Sequence, residues 1–592
     1  MEINIKKYIK EALNSLYSVD TTNIDVAVEK TKEGINGDFT VVVFAFSKFS
    51  KKSPADTAKD LGAFIKQKYD DVSSYNVING FLNFRMTNEY WIDRLNSLNL
   101  NNKKSEEFDK ETIMVEFSSP NTNKPLHLGH IRNNILGDSV SRILKASGNH
   151  VIKTNLINDR GIHICKSMLA WMKWGNGETP ETSGKKGDKL VGDYYVKFEA
   201  EYKKQIEELI KAGQTETQAK ANAEIILEAH EILRKWENGD EEIRKTWRMM
   251  NSWVYKGFEQ TYSDLGISFD KVYYESNTYL LGKDIVKQGL ENEIFVRDED
   301  SSVWIDLTDE GLDRKILLRS DGTTVYMTQD IGTAIKRIEE FNPSKIIYVV
   351  GNEQDYHFAV LKKIISKINK SYSDVIEHLS YGMVELPEGK MKSREGKVVD
   401  ADDLMSDMIE TARNISNEAG KIHDLEDDEK EKIIRMIALG ALKYFIIKVD
   451  PKKQIIFNPK ESIDFNGNTG PFIQYTHARI KSILRNAEKM NIKFHGKASE
   501  EADIVDLEIE LISHLCTFEK LIQESANRLD PSLIANYTYA LTKLFNQYYH
   551  EHSILKETES KTLQLRLLLA QTVAQTIKSA MDLLGIEVPE IM

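Results

Sequence analysis

Thr112-Ile-Met-Val-Glu-Phe117, Asn121-Thr-Asn-Lys-Pro-Leu-His-Leu-Gly-His130 and His150-Val-Ile-Lys-Thr-Asn-Leu-Ile157 are pieces of one stretch, and reading them together decides the fold. The first and last are apolar runs of strand length. Between them a helical pattern runs from about Leu128 to Ser147, with Gly148 placed to end it at the C′ position. Strand, helix, strand is a βαβ unit, which predicts a parallel sheet with a right-handed crossover. The middle piece falls at the strand-to-helix junction, where helix N–H groups and the helix dipole favour negative charge. His127, His130 and Lys124 add donors there, so the expectation is a phosphate site in an ATP-using enzyme.

Outward from this unit the chain divides. Residues 1–108 read as a small α/β module, with helical spacing at Ile5–Tyr17 and Asp56–Tyr69. Phe39–Phe46 is a buried-strand run, Val77–Arg85 is strand-like with Gly80 as a breaker, and the polar tract Asn101–Glu107 reads as a linker. Residues 109–400 read as a Rossmann-type domain split by a helical insertion at about 166–269. Strand signals resume at Val303–Leu307, Val325–Met327, Lys345–Val350 and Leu379–Val384. Almost everything beyond is helical: a stem over 401–467, containing the apolar-periodic segment Glu429–Val449, and a bundle over 468–592. The bundle's segments run over 471–490, 507–527, 531–553 and 561–584. The fold class is therefore α/β with an all-helical C-terminal part.

A chain of 592 residues is too long for one core. Its two cysteines, Cys165 and Cys516, form no CxxC pair, which excludes a zinc knuckle and suits a reducing cytoplasm. The N-terminus carries no apolar h-region and no run is apolar enough for a membrane span, so a cytoplasmic protein is expected. The net charge of −13 argues against gripping nucleic acid by phosphate neutralisation alone, though recognition by shape and bases stays open. Basic runs such as Lys48–Lys52 read as solvated faces.

The segment 124–130 resembles the HIGH signature of class I aminoacyl-tRNA synthetases, with Leu128 in place of Ile. Far downstream, Glu388-Gly-Lys-Met-Lys-Ser-Arg-Glu-Gly-Lys397 resembles their KMSKS loop, flanked by Gly389 and Gly396. Adenylate formation is an in-line attack of a carboxylate on the α-phosphorus of ATP, so it needs positioning and charge stabilisation rather than a protein nucleophile. Histidines that donate to phosphate oxygens and cations on a mobile loop meet that need. One departure narrows the family. Lys390-Met391-Lys392-Ser393-Arg394 has serine where KMSKS has its second lysine, and synthetases for arginine often carry a lysine just before HIGH instead, where this chain has Lys124. Lys390, Lys392 and Arg394 stay open as further phosphate cations.

Other stretches resemble the arginyl-tRNA synthetase family: Val115-Glu-Phe-Ser-Ser-Pro-Asn121, Arg319-Ser-Asp-Gly-Thr-Thr-Val-Tyr-Met-Thr-Gln-Asp330, Val350-Gly-Asn-Glu-Gln-Asp-Tyr-His357 and Phe465-Asn-Gly-Asn-Thr-Gly-Pro-Phe-Ile-Gln-Tyr475. The resemblance spans nearly the whole chain. It implies activation of L-arginine with Mg²⁺-ATP, in a step that also needs bound tRNA, then transfer to the 3′ end of arginine tRNA by a monomer with no structural metal. It carries an arginine pocket over to Glu116, Asn121, Tyr326, Asp330 and Gln354, and ATP contacts to Gly129, Asn133, Met383, Val384, Met391 and Ser393. Two acids suit a guanidinium, which is planar, always charged and rich in donors. Residues 1–108 resemble the family's tRNA-elbow domain, with Phe81 as stacker and Asn83 as base-edge reader. The C-terminal bundle resembles its anticodon-binding domain, with Tyr475, Arg479, Tyr537, Tyr548 and Met592 available to unstacked bases. His163 and His357 read as structural. A cysteinyl enzyme would want zinc-spaced cysteines, and an editing enzyme for branched amino acids a larger insertion and an apolar pocket. A non-catalytic paralogue would have lost the histidines or the pocket acids, and a small-molecule nucleotidylyltransferase would lack the long helical C-terminus.

Overall fold

A computed structural model describes residues 2–32, 34–100, 111–385, 387, 399–419 and 425–592. The chain forms two compact units, one from residues 1–104, 476–520 and 540–577, the other from 105–475, 521–539 and 578–592.

In the first unit an antiparallel sheet runs in the order Val28–Lys30, Phe39–Val42, Phe81–Met86, Val72–Ile78. Val77–Arg85 is therefore not one strand. Ile78 pairs with Phe81 across Asn79 and Gly80, whose φ values of 50° and 82° make the two-residue turn that an Asn-Gly dipeptide favours. The run Phe39–Phe46 is also shorter as a strand than its apolarity suggests, because Phe44–Phe46 turns into a 3-10 helix. Helix Pro54–Lys68 starts where Ser53 accepts the Asp56 N–H at 3.1 Å and Pro54 takes the first turn. Residues near the end of the N-terminal module are tied to the 476–520 segment. The Asn96 amide exchanges two hydrogen bonds with the Ala498 backbone at 2.8 and 3.0 Å, and Arg85 pairs with both Asp38 and Asp506.

The second unit is built on a five-stranded parallel sheet, in the order Ile376–Tyr381, Lys345–Gly351, Thr112–Glu116, His150–Ile157, Lys271–Tyr274. Chain order reverses at Thr112–Glu116, so the crevice beyond Glu116 and Gly351 is the topological switch point where α/β sheets bind ligands. Helix Leu128–Ala146 is the expected crossover. It ends with Gly148 at φ 104° and Asn149 N–H bonded to Leu144 O at 3.2 Å. Its mid-point lies so close to Phe117 that a Cβ on Gly137 would fall 2.2 Å from the ring.

The insertion is helical as expected, with long helices at Ile162–Trp174, Gly187–Lys211, Glu224–Glu237 and Glu241–Asp264. Of the strand signals, Val303–Ile305 is a strand but belongs to a separate three-stranded antiparallel sheet, whereas Val325–Met327 is not a strand. Helix Tyr326–Phe341 begins there, because Met327, Ile331, Ala334 and Ile338 repeat at helical spacing and are buried in one core. Helices Ala401–Ala419 and Asp427–Ile447 follow, then Gly470–Lys489 and Ser532–Glu551; the expected 507–527 segment is two helices, Asp506–Leu515 and Phe518–Arg528. No helix is long and apolar enough to cross a membrane among the described residues.

Candidate active site

Beyond Glu116 the chain bends sharply over the sheet edge. Ser118 and Ser119 both adopt positive φ, 79° and 45°, which non-glycine residues accept only when the surroundings hold them. The hold is visible. Ser118 N–H donates to Asn133 Oδ1 at 2.5 Å, Ser119 N–H to Asn155 Oδ1 at 3.0 Å, and Asn121 bridges to Asn158 beside the next strand. Asn121 is exposed at this rim, whereas Thr122 and Asn123 behind it are buried, with Thr122 Oγ1 and Asn123 Oδ1 lacking hydrogen-bond partners among the described residues.

His127 caps helix Leu128–Ala146. Its Nδ1 accepts the Gly129 N–H at 3.1 Å, and His130 Nδ1 accepts the His127 N–H at 3.1 Å, with ring centroids 3.9 Å apart. A ring nitrogen that accepts from a backbone N–H carries no proton, so each neutral imidazole is protonated on Nε2 and keeps a donor there. Burial, reinforced by the Lys124 charge, pushes the His127 pKa down to about 4. Burial drives that of His130 well below its usual value, with His127 and Lys124 adding to it. Lys124 is half-buried and its pKa is lowered by burial. A Cβ on Gly129 would stand 3.0 Å from the His127 ring, so glycine lets backbone and ring approach.

The acids of the expected arginine pocket differ in their situation. Glu116 is buried and paired with the guanidinium of Arg337, itself 1% exposed, while Glu116 Oε1 accepts from Ser119 Oγ at 3.1 Å. An internal guanidinium thus already neutralises Glu116. Arg337 also lies over the Tyr273 ring at 4.7 Å, and no sequence pattern announces it. Removing Arg337 strands a buried carboxylate, so Arg337→Met is expected to cost about 3–5 kcal/mol. Urea unfolding should show that loss, and the double variant Arg337→Met with Glu116→Gln should recover most of it. Asp330 is half-exposed and paired through Oδ2 with His357 Nε2 at 2.6 Å. His357 is therefore the partner of an acid of the expected pocket. Tyr326 is 78% exposed at the first position of the same helix, and Gln354 is exposed on the 3-10 turn Asn352–Gln354 beyond the 345–351 strand.

For ATP, the expected Asn133 has its amide fully committed: besides accepting from Ser118 it donates to Val349 O at 2.6 Å and Tyr381 Oη at 3.2 Å. It shapes the crevice and offers no free amide. Met383 is exposed, but its carbonyl accepts from Arg132 at 2.9 Å and from Ile455 N–H at 3.0 Å, and Val384 is buried in a two-strand pair with Ile455. Arg132, fully buried, also donates to Pro451 and Lys453 carbonyls and so fixes this floor, a role sequence reasoning missed. Lys390, Met391, Lys392, Ser393 and Arg394 lie outside the described residues. Just after them, Leu128 N–H donates to Val399 O at 3.3 Å and Ala401 N–H to Leu126 O at 2.9 Å, so Asp400 bridges His127.

In the first unit, Phe81 is 39% exposed and meets Phe44 edge-on at 5.6 Å. Asn83 corrects its expectation: it is 1% exposed, accepts from Thr40 Oγ1 and donates to Asn76 Oδ1, so no amide edge is left for a base. There too Arg479 donates to Asn546 Oδ1 at 2.5 Å, and Tyr548 is core, donating to buried Glu508. In the second unit Tyr475 is half-buried and Met592 partly exposed, whereas Tyr537 is buried, which removes its ring from the residues open to a base.

Three family descriptions match the chain: "tRNA synthetases class I (R), catalytic domain" over residues 94–458, "DALR anticodon binding domain" over 473–592, and "Arginyl tRNA synthetase N terminal domain" over 4–86. The chain is 53% identical over 595 residues to the arginine–tRNA ligase of Parabacteroides distasonis, covering 100% of both. It is 51% identical to that of Flavobacterium psychrophilum, covering 99% of this chain and 98% of the relative. Its fold matches the arginyl-tRNA synthetase of Thermus thermophilus with a TM-score of 0.79 at 25% identity, covering 100% and 99% of the two chains. The Plasmodium falciparum enzyme, at 20% identity and a TM-score of 0.74 over 100% and 98% of the chains, shares the fold.

Proposed function

We infer the activity from one premise: the chain belongs to the arginyl-tRNA synthetase family of class I. It is an arginine–tRNA ligase, which activates L-arginine with ATP and transfers it to arginine tRNA. An arginine carboxylate oxygen attacks the α-phosphorus, the bond to the β-phosphate breaks, and pyrophosphate leaves. A hydroxyl of the tRNA's 3′-terminal ribose then attacks the adenylate carbonyl and AMP leaves. The observation that supports this reading of the site is the pair of neutral, Nε2-protonated histidines at the start of helix Leu128–Ala146. Two fixed donors beside a helix N-terminus answer the charge that grows on phosphate oxygens in an in-line displacement.

Asp330, oriented by His357, takes the substrate guanidinium, with Tyr326 and Gln354 at the rim and Asn121 toward the α-amino and carboxylate end. Glu116 shapes the pocket through Arg337. Mg²⁺ enters with ATP as part of the co-substrate. Among the described residues no group of three or more His, Cys, Asp and Glu side chains is disposed to hold a metal. Phe81 contacts the tRNA elbow, and Tyr475, Arg479 and Met592 the anticodon loop. Both cysteines are free thiols, in keeping with action in a reducing cytoplasm, and the family expectation is a monomer.

The deciding assay is ATP–pyrophosphate exchange with each amino acid, with and without tRNA. Exchange driven by arginine in the presence of arginine tRNA is expected, and its absence would overturn the reading. Lys124→Ala should slow exchange by about 10- to 100-fold, the loss of one charge-assisted phosphate contact, with tRNA affinity unchanged in filter binding. A normal rate would move the role to Lys392 or Arg394.

A further inference from the structure

The helical insertion reaches the backbone that frames His127 through a polar knot. Lys186, at the N-cap of helix Gly187–Lys211, donates from Nζ to Asp402 Oδ2 at 2.5 Å, to Thr261 Oγ1 at 2.5 Å and to Asp188 Oδ2 at 3.4 Å. Thr261 Oγ1, on helix Glu241–Asp264, donates to the other Asp402 oxygen at 2.9 Å. One turn further along, Lys189 pairs with Asp403 at 2.9 Å. Asp188 is fully buried, and burial holds its pKa up at about 6.

The far side of the knot is close to the chemistry. Asp402 N–H donates to Asp400 Oδ1 at 2.8 Å, Asp400 bridges His127, and the 399–401 backbone bonds to Leu126 and Leu128 on either side of it. The same insertion helix presses on Lys124 and Pro125, where a Cβ on Gly192 would lie 2.8 Å from Pro125 Cδ. Residues 124–128 are thus held from two directions, both by one helix.

We propose that Lys186, with Asp402 and Thr261, is a positioning group for amino-acid activation: it locks the 399–401 backbone against Leu126–Leu128 and so sets where the His127 and His130 donors stand. Lys186 does not touch substrate. The guanidinium end of the arginine pocket (Asp330, Tyr326 and Gln354) stands on other elements, the 326–341 helix and the 352–354 turn, and Asn121 lies ahead of the locked Leu126–Leu128 segment, so the group should govern turnover more than arginine binding.

This rests on the activation reading above, and full-length enzyme in arginine-dependent pyrophosphate exchange separates the two. Lys186→Met is expected to lower kcat by about 10- to 100-fold, the size of effect that a misplaced catalytic group produces, with the arginine KM within about twofold. Lys186→Arg should restore kcat to within about threefold of wild type. Where Lys186→Met does not fold, Asp402→Asn at a partly exposed position and the near-isosteric Thr261→Val at a buried one carry the same test, with kcat losses of about 3- to 10-fold at unchanged arginine KM. Unchanged kcat in these variants overturns the proposal. So does a parallel rise of KM for arginine and ATP that Lys186→Arg leaves uncorrected. Absent exchange in wild type would instead overturn the assigned function.

Discussion

Asp330→Asn should raise the Michaelis constant for arginine by about 100- to 1,000-fold and leave that for ATP within about twofold. The substitution keeps the side chain's size, so what it removes is charge. Of the two acids expected to receive the substrate guanidinium, Glu116 is already neutralised by Arg337, which leaves Asp330 as the anionic receptor. Its Oδ2 is engaged by His357 Nε2, and no hydrogen bond to Oδ1 occurs among the described residues. Truncating one partner of a desolvated, hydrogen-bonded charge pair costs about 3–4 kcal/mol, which sets the size of the rise. His357→Gln, which disturbs only orientation, should cost about 5- to 10-fold in the same constant. Steady-state exchange at saturating ATP and tRNA measures both. An unchanged arginine constant in Asp330→Asn would remove Asp330 from the pocket and shift the receptor to Glu116.

The contrast between these two acids shows where sequence reasoning reaches its limit. Glu116 and Asp330 look alike as residues in matching motifs, but their roles diverge because of Arg337, which lies two turns along the helix from Asp330 and carries no pattern of its own. Arg132 is similar: a buried cation whose partners are three carbonyls from residues 383–453. Long-range pairing of this kind leaves no periodic trace. Local chemistry was legible. The helix behind His130 shows its period and its glycine stop, and the parallel sheet follows from the flanking apolar runs. Where local reading failed, a competing local signal was present. Asn79-Gly80 splits one expected strand into a hairpin, and the helical repeat from Met327 overrides three residues of strand propensity at Val325–Met327. Asn83 and Tyr537 failed for another reason: residue type does not say which face of a strand or helix is buried.

The histidine pair offers the second large effect. Because its pKa is depressed to about 4, His127 gains charge only as pH falls through that value, and burial likewise holds the His130 pKa well below the usual imidazole value. The activation rate should therefore show no imidazole titration from about pH 8 down to about pH 5.5, in contrast with an exposed histidine near 6.5. Stability has the matching sign. The unfolded chain binds these protons from about 6.5 downward while the folded chain does not, so acid between about pH 6.5 and 4 erodes stability. His127→Asn isolates catalysis from folding. Asparagine is among the best N-caps and can take over the Gly129 N–H, but it has no group in place of Nε2–H. Loss of one preorganised donor to developing phosphate charge should lower kcat for exchange by about 10²- to 10³-fold, with a melting temperature within a few degrees of wild type. A kcat within about threefold would mean that His127 serves as a helix cap alone, and the phosphate contact would pass to His130 and Lys124. Single-turnover adenylate formation followed across that pH range distinguishes the two directly.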